Sequence, residues 1–522
     1  MRRQVVDVTK QTFLKGALIL IAASLITRFL GFVNRIVVAR VMGEEGIGLY
    51  MMAMPTLFLA TAITQFGLPT AISKRVAEAD VRGDNDQIKK IVVVSLTVTL
   101  SISIIFVGVL YLAAPYLADK LLKDARVIYP LLAIGPVIPI LAVAAVLRGY
   151  FQGKQNMKPQ SFSQVIEQIV RISCTVFLVK FFLPYGVEFA ALGAMISVLI
   201  GEFISLLYMF YQFKRKKTVK IRSQFVAALK GGKQTLERLF SIALPATGSR
   251  LVASGTHFLE PILTAQSLAL AGVGTAMATR QYGELTGYAL PLLFLPTFIT
   301  NSLATALLPS ISEANEQNRH QFVHYRIHQA IRLSFASGAI ATVILTVFAG
   351  PILYYMYGSE SAERFILLMA PFYLMMYIQM PLSTALQALD AAKSAMWNTI
   401  IGAGVKIILL VSLASNAKFG IIGVAISMIV TVVLITLLHL ISLARVAGFR
   451  LSWKELGQML GLLGLTAFSA HLLKGIFASS LYNLPTFLLL LLILTVLYLL
   501  FMLSFGFITR AEVEQFLSRK KR

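Results

Sequence analysis

Long apolar runs recur along this chain from residue 14 to residue 508, and they constrain it more than any other feature. A helix crossing the hydrocarbon of a bilayer needs about 20 mostly apolar residues, because no water is present there to satisfy a bare backbone. Fourteen segments meet that need: 14–41, 46–72, 91–113, 128–151, 161–183, 187–213, 239–268, 277–307, 329–355, 364–388, 395–415, 419–444, 455–478 and 485–508. Composition agrees. Apolar residues make up 57% of the chain and charged residues 13%, about half the charged share of a soluble protein. That much apolar surface must face lipid. The expected fold class is an all-α polytopic membrane protein with 14 transmembrane helices. Lys10 and Lys15 give the first segment the look of a cleavable leader. The apolar pattern resumes beyond Arg28, so the segment is expected to stay.

The 47 lysines and arginines outnumber the 23 acids, a net charge of +24. In a soluble chain that excess would suggest nucleic acid. In a membrane chain it collects in cytoplasmic loops. With the N-terminus placed in the cytoplasm, 33 of the 47 cations fall in the termini and even-numbered gaps, Arg148 among them. Seven fall in the odd-numbered gaps and seven lie within the segments. Both termini are therefore expected in the cytoplasm, and nucleic acid is not expected as a partner. Cys174 is the single cysteine, so no internal disulfide and no cysteine metal site can form. The string Gly231-Gly232-Lys233-Gln234 lacks the spacing and the hydroxyl of a phosphate loop, and no H-E-x-x-H or G-x-S-x-G occurs. Neither an enzyme nor a cofactor nor a metal is expected.

The chain repeats itself. LRGYFQGKQNM (147–157) is echoed by LQALDAAKSAM (386–396), and AALGAMISV (190–198) by GIIGVAISM (420–428). Pro55 and Pro69 enclose a run ending LPTAIS, and Pro296 and Pro309 enclose one ending LPSIS. Thr27-Arg28 is echoed by Ser249-Arg250. The order is kept, so segments 1–6 are expected to repeat as 7–12. Both halves start on the same side, which makes the repeat parallel. The expected organisation is an N-terminal lobe (1–213), a basic amphipathic cytoplasmic linker (214–238) and a C-terminal lobe (239–445). Two further helices and a basic tail (446–522) follow. Two like-oriented six-helix lobes leave a central cavity between them as the natural substrate site.

Charges at bilayer depth cost roughly 2.5–3.5 kcal/mol each on insertion scales, so they must face protein or water. Arg28 and Arg35 are seven residues apart and share a helix face, with Gly31 leaving room between them. Arg250 and His257 have the same spacing. Glu167 with Arg171, and Arg280 with Glu284, are four apart, the spacing of a neutralised intrahelical pair. Glu202 and Lys406 have no partner visible in the sequence. No acid lies within a turn of Arg28 or Arg250. Unpaired guanidinium groups in a cavity suit phosphate, which they bind through paired hydrogen bonds. Prolines at 55, 69, 136, 139, 245, 261, 291, 296, 371 and 381 suit helices that bend.

The stretches QTFLKGALILIAASLITRFLGFVNRIVVARVMGEEGIGLY (11–50), QFGLPTAISK (65–74), VLRGYFQGKQNM (146–157), RQYGELTG (280–287) and ATALLPSIS (304–312) resemble the stage V sporulation protein B family of spore-forming bacteria. That family sits in the polysaccharide-transporter branch of the multidrug/oligosaccharidyl-lipid/polysaccharide superfamily and is related to lipid II flippases. The resemblance covers essentially all fourteen segments. It implies two six-helix lobes around a V-shaped cavity, and a lipid-facing groove on helices 13 and 14. It implies export of an undecaprenyl-pyrophosphate-linked sugar by alternating access, lipid II for spore cortex in particular. The flippase motif S-R-x-L-G-F reads Thr27-Arg28-Phe29-Leu30-Gly31-Phe32 here, so Arg28 inherits the cavity arginine. Its second arginine and aspartate fall near Asn34 and Arg35 in a different arrangement. The flippase Y-A-D-R reads Tyr282-Gly283-Glu284-Leu285 without the arginine, which leaves Arg280 or Arg250 as substitutes.

The expected substrate-binding residues are Arg28, Arg35, Arg250, His257, Arg280 and Glu284. The expected partners are a lipid-linked sugar pyrophosphate, membrane lipids and cell-wall synthesis proteins. A multidrug or cation antiporter of the same fold is the alternative, disfavoured by cations within segments. A non-transporting scaffold of a cell-wall synthesis complex is a third reading, and would leave the cavity charges without a task. The topology has a direct check. In a Cys174→Ser background, single cysteines at positions 225 and 520 should resist membrane-impermeant thiol reagents in intact cells. Labelling from outside at either position would refute it.

Overall fold

The structure is a computed structural model that describes residues 13–215 and 232–507. Among these the chain is helical, with no strand. Most of the expected linker lies outside the described residues, as does the tail beyond 507. Among the described residues, ten helices are long and apolar enough to cross a membrane, or eleven if the bent pair Thr275–Phe294 and Thr297–Glu316 counts as one span. The chain is a multi-pass membrane protein. The expected fourteen is not reached by this measure, and the reasons are physical. Segments 1 and 2 are two helices that meet at a kink at Gly43, where φ is 72° and ψ −175°; the run that holds both, α1 (Phe13–Gln65), counts as a single span. Glycine adopts that conformation without a Cβ penalty. Helix α5 (Lys158–Phe182) carries Glu167, Arg171 and Lys180. Helix α7 (Gly232–Leu270) carries Glu237, Arg238, Arg250 and Glu260. Both are too polar to count on apolarity alone.

By contacts the chain divides into two compact units, Met1–Ala269 with Val273–Gly283, and Leu270–Gly272 with Glu284–Arg522. In the first, α1 and α7 accompany α2 (Leu68–Val81), α3 (Asn85–Tyr116), α4 (Ile128–Gly153), α5, α6 (Val187–Arg215) and α8 (Thr275–Gly283). Leu68, Ile72, Val76, Val92, Leu147 and Phe151 form a buried core there. The second unit continues from a π-helical turn (Glu284–Ala289) through α9 (Leu290–Phe294), α10 (Thr297–Glu316), α11 (His320–Val347), α12 (Ala349–Tyr357), α13 (Glu363–Ala388), α14 (Ala392–Ala414), α15 (Ile421–Ala447), α16 (Trp453–Ile476) and α17 (Leu484–Ser504). The 49° bend between α9 and α10 falls at Pro296. Beside it, Tyr377 Oη donates to the Leu293 carbonyl at 2.9 Å, which satisfies backbone near the break.

Helix α17 shows how lipid selects a face. It is apolar all round. Phe487, Leu490, Leu494, Tyr498 and Met502, three or four residues apart, are buried. Leu488, Leu492, Val496 and Leu503 are exposed. An apolar face left open on a helix of this length is a surface for acyl chains.

Local geometry tests the repeat. Gly193 and Gly423 each press on the backbone of the preceding helix, at Leu178 and Leu413. Ser197 and Ser427 each donate to the carbonyl three residues back. These positions correspond as the sequence match sets them. The 147–157 match does not. Helix α4 closes with Asn156 N–H on Phe151 O and Gln155 N–H on Gln152 O, and α13 with Ala391 N–H on Leu386 O and Asp390 N–H on Gln387 O. Gln155 and Asp390 both have positive φ at that turn. Gln155 therefore corresponds to Asp390 and not to Ser394, a slip of four residues.

Within the first unit, α1 and α8 cross with their backbones in contact. A Cβ at Gly48 would meet the Thr279 carbonyl, and one at Gly283 would meet that of Glu44. Small residues at such crossings replace the hydrophobic drive that lipid removes. The close approach brings a polar cluster together. Arg280 pairs with Glu44 at 2.6 Å. Arg126 pairs with Glu45 at 2.8 Å and with Asp124 at 2.9 Å. Thr279 donates to Asp124 at 2.7 Å. Gln266 of α7 donates to the carbonyls of Lys120 and Leu121. Burial pushes the Asp124 carboxyl up, but the hydrogen bonds from Arg126 and Thr279 outweigh it and hold it below the usual aspartate range.

Two outcomes are expected. Gly283→Val should lower the melting temperature of the purified protein, by an overpacking cost of about 1–3 kcal/mol. A melting temperature equal to the parent's would refute the crossing. Asp124 stabilises the fold when ionised, so its contribution is present above about pH 4 and is lost as pH falls through its lower folded value. Between about pH 5 and pH 3, the melting temperature of the parent should fall more steeply than that of Asp124→Asn.

Candidate functional site

Four helices of the first unit enclose a polar cavity of about 410 Å³. Each contributes residues at helical spacing. Helix α1 supplies Thr27 and Arg28, and further along Met54, Phe58, Thr61 and Gln65. Helix α4 supplies Leu141 and Arg148, α5 supplies Gln164, Glu167, Gln168 and Arg171, and α6 supplies Val198 and Glu202. Intervals of three, four and seven place each set on one face of its helix.

The charges are organised around Arg171. Its Nη2 donates to Glu167 Oε1 at 2.6 Å and to Glu202 Oε1 at 3.5 Å. Glu202 Oε2 lies 4.0 Å from Arg148 Nη2. Gln168 Nε2 donates to Glu167 Oε1 at 3.1 Å. Gly201 makes this possible. A Cβ there would sit 3.0 Å from the Glu167 carbonyl, so the glycine lets α6 come close enough for Glu202 to meet Arg171. The i, i+4 pair expected for Glu167 and Arg171 is present. Glu202, without a partner in the sequence, finds two on neighbouring helices. Arg148, counted there as a loop cation, lies on α4 and lines the cavity. The signal for it was the apolar run continuing through Tyr150 and Phe151.

Arg28 is exposed to the cavity, and among the described residues no carboxylate pairs with it. The lining thus carries three arginines against two glutamates, a surplus of one positive charge. Three polar atoms of the same region are buried without a hydrogen-bond partner: Glu202 Oε2, Arg171 Nε and Gln168 Oε1. Buried polar groups are ordinarily satisfied, so this lining retains capacity for a polar guest.

A second cavity, of about 450 Å³, is lined by Pro55, Phe58, Thr61, Ala62 and Gln65 of α1, by Gly67 in the turn after it, and by Ala253, Ser254 and His257 of α7. Phe58, Thr61 and Gln65 belong to both cavities. Arg28 and His257 therefore stand on either side of one shared wall. Arg35 is exposed one heptad beyond Arg28, and its charge reaches the buried Tyr50, as does that of Arg171. Arg250 lies on α7, and its side chain is outside the described residues. Arg280 is held by Glu44, and Glu284, buried at the start of the π-helical turn, by Arg364 at 2.8 Å. Neither lines either cavity. Each has a carboxylate or guanidinium partner on another helix.

Residues 13–315 match the family described as "Polysaccharide biosynthesis protein", and residues 285–411 match MatE. Stage V sporulation protein B of Bacillus subtilis (strain 168) is 54% identical over 465 residues, 89% of this chain and 90% of that protein. Lipid II flippase MurJ of the same organism is 26% identical over 420 residues, 77% of each. A solved structure of lipid II flippase MurJ in an inward closed conformation aligns with a TM-score of 0.67 and 17% identity, covering 92% of this chain and 97% of that one. An inward-facing multidrug resistance MATE family transporter of the MOP superfamily aligns with a TM-score of 0.60 and 16% identity, covering 81% and 96%. Those two likenesses show the fold. The chain belongs to the polysaccharide biosynthesis protein family, within the group of stage V sporulation protein B, and has the helical fold of the MOP superfamily.

Proposed function

We propose that this chain is a flippase for a lipid-linked saccharide, and that its substrate is undecaprenyl-pyrophosphate-linked, lipid II for spore cortex. It is a transporter and not an enzyme. The observation that carries the reading is Arg28, a guanidinium without a carboxylate partner among the described residues, opening into a polar cavity that also holds Arg148 and Arg171. Arg28 faces the cavity and not lipid, where a cation would be costly, and an anion entering the cavity finds it without a counter-charge. A pyrophosphate supplies one through bidentate hydrogen bonds, stronger in a medium of low dielectric. The isoprenoid tail stays in lipid while the sugars pass through the polar space. The 54% identity to stage V sporulation protein B and the relation to lipid II flippase MurJ support this assignment.

In this reading both termini are cytoplasmic and fourteen helices cross the membrane. Residues 1–213 and 239–445 are the two repeat lobes, 214–238 the linker, and 446–522 the appended pair with its tail. Arg35, Arg250, His257, Arg280 and Glu284 join Arg28 as substrate-facing residues at one or another stage of alternating access. Glu167 and Glu202 favour the competing reading, a cation antiporter. Each of these carboxylates already faces a guanidinium, so the uncompensated charge is positive and an anion is the better guest.

Reconstituted in liposomes, the parent should move lipid II across the bilayer. Arg28→Ala should abolish transport, and Arg28→Lys should restore only part of it, because lysine keeps the charge and loses the fork. Arg28→Ala and Arg250→Ala proteins that are inserted at normal levels and transport like the parent would remove the anion site and raise the antiporter and scaffold readings.

A further inference from the structure

We propose that Glu167 and Glu202 form a proton-binding site, and that a proton is taken up there when an anion enters the cavity lined by Arg28, Arg148 and Arg171. The inference rests on the anionic substrate proposed above and adds to it a second, linked ligand.

The geometry supplies the reason. Glu167 and Glu202 are each 7% exposed, and their carboxyl groups lie against each other. One nitrogen, Arg171 Nη2, serves both, at 2.6 Å and 3.5 Å. Arg148 reaches Glu202 Oε2 only at 4.0 Å. That oxygen is buried and accepts no hydrogen bond. Two carboxylates in one buried site cannot both be ionised cheaply, and here two guanidinium groups hold the balance. The charged groups facing the pair are Arg148 from α4, Arg171 beside Glu167 on α5, and Arg28 from α1, with Tyr50 of α1 within reach of Arg171.

An arriving pyrophosphate competes for the same guanidinium groups. It offers them more charge and a bidentate acceptor. As Arg148 and Arg171 turn to it, the carboxylates lose their counter-charge, and the cheapest remedy is a proton on Glu202, given up by hydronium or a buffer acid in solution, which is left as water or the conjugate base. The carboxyl then has an O–H to donate, which the orphaned Oε2 lacks when ionised. The one bond that forms is the Glu202 O–H, and the one that breaks is the donor's bond to that proton. Linkage makes the effect reciprocal: protonation of the pair must tighten anion binding by the same factor by which the anion favours the proton.

The test uses the full chain, purified in detergent, with inorganic pyrophosphate as the probe. Calorimetry in buffers of different ionisation enthalpy counts protons taken up on binding. The parent should take up about one proton more per pyrophosphate than Glu202→Gln. Its affinity should rise by up to about tenfold for each pH unit lowered, beyond the titration of the probe itself. The Gln variant, fixed in the neutral form, should lose that added dependence. Glu167→Gln gives a second variant should Glu202→Gln fail to fold. Infrared difference spectra of the parent need no variant, and should show a protonated-carboxyl band appearing with pyrophosphate. Equal proton uptake in parent and variants, with no such band, would overturn the proton site. If Arg28→Ala still weakened pyrophosphate binding, the anion site would stand without it. A parent that binds no pyrophosphate would overturn both.

Discussion

The contact on which the polar interior depends is a single guanidinium serving two buried carboxylates. Arg171 ties α5 to itself through Glu167 and to α6 through Glu202. In lipid, helices gain little by hiding apolar surface from one another, so their association relies on close packing and on polar contacts. Gly201 supplies the first and Arg171 the second, at the same level of the same helix pair. Once these charges are matched, α1 and α4 can close around a polar space without stranding a cation. Arg148 completes the set, and the surplus that remains belongs to Arg28.

The same logic explains how much was legible beforehand. The helical, membrane-spanning class follows from apolar runs, and those runs are long enough to be read directly. The number of spans is less direct, because α5 and α7 carry several charges each and are not apolar enough to count. Helix α5 fails a hydropathy test through Glu167, Arg171 and Lys180, and the first two of these line the cavity. Function and recognisability therefore oppose each other at this point in the chain. Segments 1 and 2, two helices that meet at a kink, count as one span for a different reason. The break at Gly43 is one residue of backbone, and a sequence shows a glycine there but not its φ.

The site was legible in part. Arg28 stood out because its lack of a nearby acid is visible along one helix. The partner of Glu202 was invisible, since Arg171 and Arg148 reach it from other helices. Arg148 was misplaced because a cation near the end of an apolar run reads as a loop residue. The repeat slipped by four at 147–157 for a related reason. Four residues are nearly one helical turn, so a match displaced by four keeps the same residues on the same face, and only the turn at Gln155 and Asp390 distinguishes the registers.

The shared wall of the two cavities carries the argument one step further. Phe58, Thr61 and Gln65 lie on a stretch of α1 bounded by Pro55 within the helix and by Gly67, with φ at 63°, after it. Proline removes a backbone hydrogen bond at one end of this stretch, and the left-handed glycine ends the helix at the other. A stretch bounded in this way is the part of α1 least restrained by its own ladder. The same three side chains line both cavities, so Arg28 and His257 look onto one stretch of α1. The two cavities thus share one helical segment, and its ends are set by a proline and a glycine twelve residues apart, Pro55 and Gly67.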